Sequence, residues 1–344
     1  MPIQKNTISR DDKIFEAWPD LSETRSGKLI CIFSECTAHC DREKQRLVYC
    51  VSTDKGRSWS EKKLLAAGNG GNDYYNCPRI SSLSDGRLVV VCDRLTGPWG
   101  EDFAKLSISQ YLWFSSDEGE SWSEPKILPF KGIVPDKLLE LRSGRWILAA
   151  HAGSPETGKL EEYLWYSDDK GETWSERVVV ASDPRYNLCE ASLLECEDNK
   201  IVAFLRENSM RGEDVMKAIS YDGGETWNGV YHTPMACGHR PTAGFLKDGN
   251  VLVTYRFIPG NAATYQNTFA ALLSPDGLLS TDRNAQGIRT MPLDYDRNQH
   301  ADTGYTGWVQ LADGEIYVAN YIMDDAEKAQ IRGYRFYPED IVLK

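Results

Sequence analysis

The stretch Ser52-Thr53-Asp54-Lys55-Gly56-Arg57-Ser58-Trp59 decides the fold, because it recurs. It returns as Ser115-Ser116-Asp117-Glu118-Gly119-Glu120-Ser121-Trp122, as Ser167-Asp168-Asp169-Lys170-Gly171-Glu172-Thr173-Trp174 and as Ser220-Tyr221-Asp222-Gly223-Gly224-Glu225-Thr226-Trp227. The four Trp residues lie 63, 52 and 53 positions apart, and Ser274-Pro275-Asp276-Gly277 reads as a worn fifth copy. Each copy has the chemistry of a β-hairpin turn. Asp bonds back to turn amides, Gly accepts a positive φ, and Trp packs against a neighbouring element. A period of about 50 residues is that of propeller blades.

A second repeat is independent of the first. Six polar turns lead into apolar strands: Ser26-Gly27-Lys28-Leu29-Ile30, Asp85-Gly86-Arg87-Leu88-Val89, Ser143-Gly144-Arg145-Trp146-Ile147, Asp198-Asn199-Lys200-Ile201-Val202, Asp248-Gly249-Asn250-Val251-Leu252 and Asp313-Gly314-Glu315-Ile316-Tyr317. Asn199 stands where the others have Gly, as the residue that best tolerates a left-handed backbone after Gly. Six such turns predict an all-β chain, a six-bladed β-propeller. No Pro/Gly/Ser-rich linker breaks the series, so residues 1–344 read as one domain, with blades over roughly 12–60, 70–125, 130–176, 185–230, 236–280 and 298–340.

Composition narrows the function. Hydrophobic residues make up 41% of the 344, enough for a core, and ten Trp with seventeen Tyr suit β packing or sugar stacking. A net charge of −12 repels nucleic acid and anionic membranes, so neither is an expected partner. No segment approaches the roughly 20 apolar residues of a membrane span. The N-terminus MPIQKNTISRDDKIFEAW has no apolar run of a secretory signal. Nine scattered Cys without a CxxC pair argue against both a disulfide framework and a zinc site. The expectation is a cytoplasmic protein, secreted if a leader has been removed, with no metal and no cofactor.

Residues an even number apart on a strand share a face. Seven or nine positions before each turn residue stand Asp20, Arg79, Lys137, Glu190, Arg240 and Tyr305. Seven positions after it stand Ser34, Asp93, His151, Arg206, Arg256 and Tyr321. A hairpin brings both sets to one end of the blade, so one propeller mouth is expected to be polar and rich in arginine. Clustered guanidiniums in an acidic chain need an anion to face, and Arg grips a carboxylate in a planar fork. No Gly-rich loop opens a helix for phosphate, which favours an acidic glycan over a nucleotide.

On these motifs the chain resembles the sialidase (neuraminidase) superfamily, whose propellers carry such Asp boxes. The resemblance implies a catalytic tyrosine nine residues before a turn Gly, which falls on Tyr305 in Gly304-Tyr305-Thr306. It implies a proton-accepting Glu at the start of an inner strand and an Arg ending the next, matched by Glu190 and Arg206. A Tyr nucleophile sets sialidases apart from the two-carboxylate scheme of most glycosidases. The family's first arginine falls on Asn76 in Tyr75-Asn76-Cys77-Pro78-Arg79-Ile80, with Arg79 as its replacement three residues on. Arg240 and Arg256 are candidates for the last arginine. The acid/base Asp belongs to the loop Asp93–Asp102, where Asp102, Glu101 and Asp93 are the choices. His151 reads as an acid/base or a structural His, Tyr321 as a lining residue, His239 and His300 as neighbours of the site, and Trp99 and Trp308 as sugar-stacking or packing residues.

Three readings follow. The first is a retaining exo-glycosidase for a terminal acidic sugar. The second is a polysaccharide lyase in which Tyr305 or His151 removes the proton α to a uronic carboxylate. The third is a propeller that binds an acidic glycan without turning it over.

Overall fold

The computed structural model describes residues 3–97, 105–260 and 264–341. The fold is all-β, a six-bladed β-propeller. The chain divides into two compact units, Met1–Pro135 with Asp296–Tyr337, and Asp136–Tyr295 with Pro338–Lys344. Each unit holds three blades.

In the first unit, blade one runs Phe15–Glu23, Leu29–Cys36, Arg46–Ser52 and Lys63–Ala67. Blade two has an inner strand broken into Asp73–Tyr75 and Arg79–Ser82, then Leu88–Thr96, Ser107–Ser115 and Lys126–Leu128. Blade six runs Thr303–Gln310, Ile316–Ile322 and Gln330–Phe336, and its outer strand is Gln4–Ser9 from the start of the chain. The second unit holds blade three (Leu139–Glu140, Trp146–Gly153, Leu160–Ser167, Val178–Ala181), blade four (Leu188–Glu197, Lys200–Glu207, Asp214–Ser220, Asn228–Ala236) and blade five (Gly238–Phe245, Val251–Phe257, Asn267–Leu273, Ile288–Tyr295).

The second strand of each blade is buried on both faces, so it reads as an unbroken apolar run. In blade one, Leu29, Cys31 and Phe33 join a cluster with Tyr317, Ala319 and Tyr321 of blade six. Ile30 and Ile32, on the other face, join Ile80, Val90 and Cys92 of blade two. Each such side chain contributes about 1.5–3 kcal/mol of burial.

The Asp boxes form the turns expected of them. Ser52 Oγ donates to Asp54 at 2.8 Å and accepts from the Gly56 amide at 2.8 Å, while Asp54 accepts from the Ser58 amide at 2.9 Å. The same bonds recur around Asp117, Asp169 and Asp222. Gly56 has φ 76°, and a Cβ there would stand 2.2 Å from the ring of Tyr317. Trp59 covers that contact, its Nε1 donating to Tyr317 Oη at 3.1 Å. The worn copy Ser274–Gly277 makes no such network. It forms a short 3-10 turn, Pro275–Gly277, and Ser274 makes no side-chain cap.

The strand parity behind the sequence-based face assignment does not hold through the inner strands. Register slips between Ala17 and Asp20, Cys189 and Ser192, His239 and Thr242, and Thr303 and Thr306. Each slip is a β-bulge, two residues facing one, and a bulge re-aims a side chain. The count by even steps therefore places Asp20 and Arg79 beyond the bulge or break, whereas Glu190, Arg240 and Tyr305 lie within it.

Candidate active site

In the second unit, Glu190 and Ala191 form the bulge of blade four's inner strand, and Glu190 has φ 50°. Arg240 occupies the same place in blade five, with φ 48°. A left-handed backbone costs an L-residue about 1–2 kcal/mol, and such strain gathers at functional sites. Both residues are nine positions before their turn residue and both are buried.

Around them lies a group of ionisable side chains. Arg206 Nη1 donates to both oxygens of Glu190, at 2.9 and 3.0 Å, and its Nη2 donates to Asn208 Oδ1 at 2.6 Å. The Glu190 amide donates to His151 Nδ1 at 3.4 Å, so the neutral ring carries its proton on Nε2. Burial pushes His151 down to about 4, Glu190 opposing and Arg206 and Arg240 assisting. His239, paired across the strands with Arg256, is pushed down to about 2 by burial and by Arg206 and Arg256, against Glu190. Its Nδ1 is buried and makes no hydrogen bond among the described residues. Glu162 accepts from the Ala191 amide at 3.2 Å. Burial raises its carboxyl well above the usual range, although that bond and Arg240 oppose the rise. The guanidiniums of Arg206, Arg240 and Arg256 cannot lose their protons. Both histidines are neutral at pH 7, and Glu190 is the carboxylate paired with Arg206 among them. The group gathers three guanidiniums, with the carboxyls of Glu190 and Glu162, inside an acidic chain.

In the first unit, Gly304 (φ 100°) and Tyr305 form the bulge of blade six, and the Gly304 amide donates to Asn320 Oδ1 at 2.9 Å. Tyr305 is buried, with its ring edge-to-face on Tyr321, centroids 6.2 Å apart. Tyr321 Oη donates to Asp302 Oδ1 at 2.6 Å, and the other Asp302 oxygen meets His39 Nδ1 at 2.6 Å. Trp18 packs on Tyr321 and His39, and the Arg42 guanidinium lies 3.9 Å over its ring. Arg42 Nη2 donates to Asn76 Oδ1 at 3.1 Å, and Asn76 Nδ2 donates to Asp93 at 3.1 Å.

A model of the BNR repeat-like domain matches residues 50–318. The chain belongs to the BNR repeat-like family. The sialidase of Paraclostridium sordellii is 26% identical over 187 residues, 45% of this chain and 45% of that protein. The aligned stretch thus spans less than half the length of that relative. Among solved structures, a Dyadobacter fermentans protein of unknown function superposes with a TM-score of 0.80 at 23% identity, over 97% of this chain and 99% of that one. A Hadza microbial sialidase superposes with a TM-score of 0.76 at 19% identity, over 98% and 69%. At these identities the structural likeness speaks for the fold.

In this BNR propeller the boxes are absorbed by turn chemistry, and the remaining polar residues sort by contact. Glu190, Arg206 and His151 are brought into contact, with Arg240 and Arg256 acting on the same histidines. Tyr305 and Tyr321 pack together. Arg79 ties blades, donating to the Thr306 carbonyl at 3.1 Å and pairing with Asp20 at 3.5 Å. Asp93 is fully buried and accepts from the Cys77 and Val134 amides and from Asn76. Burial raises its carboxyl pKa, against those bonds. Asp102, Glu101 and Trp99 lie outside the described residues. Sequence reasoning missed His39, Arg42, Glu162 and Asp302. The first two sit in the connection between Leu29–Cys36 and Arg46–Ser52.

Proposed function

We propose that this protein is a retaining exo-glycosidase for a terminal sugar bearing a carboxylate, with sialic acid as the type. The observation that carries the reading is a group of three arginines, half-buried Arg206 on Glu190 in its strained bulge, with buried Arg240 and Arg256 beside the neighbouring histidines. A guanidinium binds a carboxylate through charge-assisted, often bidentate bonds, and three of them suit a sugar that carries one. The sialidases among the relatives support a sialic acid in that place.

In this reading Tyr305 is the nucleophile and Glu190 the base that takes its proton. A neutral phenol approaches an anionic sugar without charge repulsion, and a general base makes it reactive as its bond to the anomeric carbon forms. Water then displaces Tyr305 from the opposite side, and two inversions give net retention. The test is release of fluorophore from an α-linked methylumbelliferyl sialoside by wild type, Tyr305→Phe and Glu190→Gln. The reading requires turnover by wild type and loss in both variants, of roughly 10²–10⁴-fold for Glu190→Gln. Turnover unchanged in Tyr305→Phe overturns it.

A further inference from the structure

We propose that the cleft between the Asp boxes of blades three and four binds a neutral saccharide, at the opposite strand ends from Glu190 and Arg206. In blade four Arg206 lies near the end of Lys200–Glu207, where it faces Cys189. Ile201, near the start of that strand, faces Ser220, the first residue of the box. The cleft stands apart from the arginine group and is independent of the glycosidase reading.

The cleft measures about 570 Å³, within the range of pockets that hold small ligands. Asp168 and Lys170 of one box line it, with Tyr221, Asp222 and Glu225 of the next and Arg145 from a turn of blade three. Its polar wall is fixed before a ligand arrives. The Arg145 guanidinium donates to the two oxygens of Asp168 at 2.7 and 2.9 Å. It also donates to Glu225 at 3.0 Å and to the Gly223 carbonyl at 3.1 Å, and it lies 4.1 Å over the ring of Tyr166.

Two departures from the other boxes shape this cleft. The first is Gly223, and blades one and two show the closed alternative. There Lys28 stands in the place of Arg145 after the turn Gly and Glu120 in that of Glu225 after the box Gly, paired at 3.2 Å. Glu118, in the place of Gly223, folds its carboxylate onto the Ser26 amide at 2.9 Å. Gly223 has no side chain to lay on Ser143, the counterpart of Ser26. The backbone does not require Gly here. Lys55, Glu118 and Lys170 hold the same box position with φ of 62, 57 and 58°, and a Cβ on Gly223 meets nothing nearer than 3.4 Å.

The second departure is Tyr221. Its box position holds Thr53, Ser116 and Asp168 in the other blades, and Tyr221 is 52% exposed. An exposed aromatic beside fixed carboxylates suits a pyranose. The sugar's C–H face packs on the ring, and its hydroxyls donate to carboxylate oxygens, each of which has more than one lone pair. Three carboxylates against two cations in the lining disfavour an anion, and the Arg145 fork is already engaged by Asp168.

Saturation-transfer NMR and calorimetric titration with lactose, maltose and chitobiose test this on wild type, Tyr221→Ala and Gly223→Glu, with thermal melting to check folding. Gly223→Glu copies Glu118, so it should close the cleft onto Ser143 and leave the box turn intact. The proposal expects at least one of the three saccharides to bind wild type and to lose affinity by roughly tenfold or more in both variants. Binding of none of the three, or affinity unchanged in either folded variant, overturns it. A preference for 3′-sialyllactose over lactose that disappears in Tyr221→Ala overturns the neutral class of the ligand.

Discussion

One nitrogen of Arg206, Nη1, donates to both carboxylate oxygens of Glu190, at 2.9 and 3.0 Å. The pair is largely removed from water, with side-chain exposures of 12% and 6%. Removing one member of such a pair strands the other. Arg206→Met is therefore expected to lower stability by about 3–5 kcal/mol, and the double variant with Glu190→Gln to recover part of that loss. Urea unfolding of wild type and the variants measures both.

Arg256 acts on the same cluster through His239, which it faces across the strands of blade five. Arg256→Met is expected to raise KM for an acidic glycoside by roughly tenfold to a hundredfold, the worth of one charge-assisted hydrogen bond. A neutral glycoside of the same leaving group should respond little. Parallel kinetics on the two substrates check this.

The buried histidines set an acid limit on the fold. His239 is held at about 2 and His151 at about 4, while an unfolded chain protonates both near 6.5. Between those values the unfolded state binds more protons, so stability falls as pH drops below 6.5. His239→Asn should flatten this fall. Urea midpoints from about pH 7 down to about pH 4 in both proteins give the comparison.

The box carboxylates are held low as well. Hydroxyl and amide bonds from Ser58, Ser121 and Thr173 pull Asp54, Asp117 and Asp169 down to about 2. Their contribution is present above 3.8 and is lost as pH falls through 2. A separate acid transition below about pH 4 is expected, weakened in Asp169→Asn, and circular dichroism against pH follows it.

Gly56 meets the ring of Tyr317, and its φ of 76° excludes a side chain on conformational grounds as well. Gly56→Ala should cost roughly 2–4 kcal/mol, from overpacking and left-handed strain together. Gly144, with the same kind of backbone (φ 90°) but nothing within 4 Å of a Cβ, should cost only the strain when changed to Ala. Thermal denaturation of the two variants separates the terms.

The turns were legible because turn chemistry is local. Asp, Gly and Trp at fixed offsets make the same bonds wherever they stand, and Asn199 takes φ 61° as its residue type allows. The offsets of Glu190, Arg240 and Tyr305 were legible for the same reason, being counted from those turns. The bulges were not. Nothing in Glu, Arg or Trp favours a left-handed backbone, yet Trp18, Glu190 and Arg240 all adopt one. Strand pairing and packing impose it, and one added residue reverses the face of what precedes it.

Residue order alone determined six blades, their turns and an acidic chain with arginines at strand ends, since each follows from short-range chemistry and composition. Only the tertiary structure decided that Gln4–Ser9 completes the last blade, that Arg79 ties blades together, and that His39 and Asp302 meet. These pairings join residues up to hundreds of positions apart. Their geometry depends on how whole sheets pack, which no local pattern encodes.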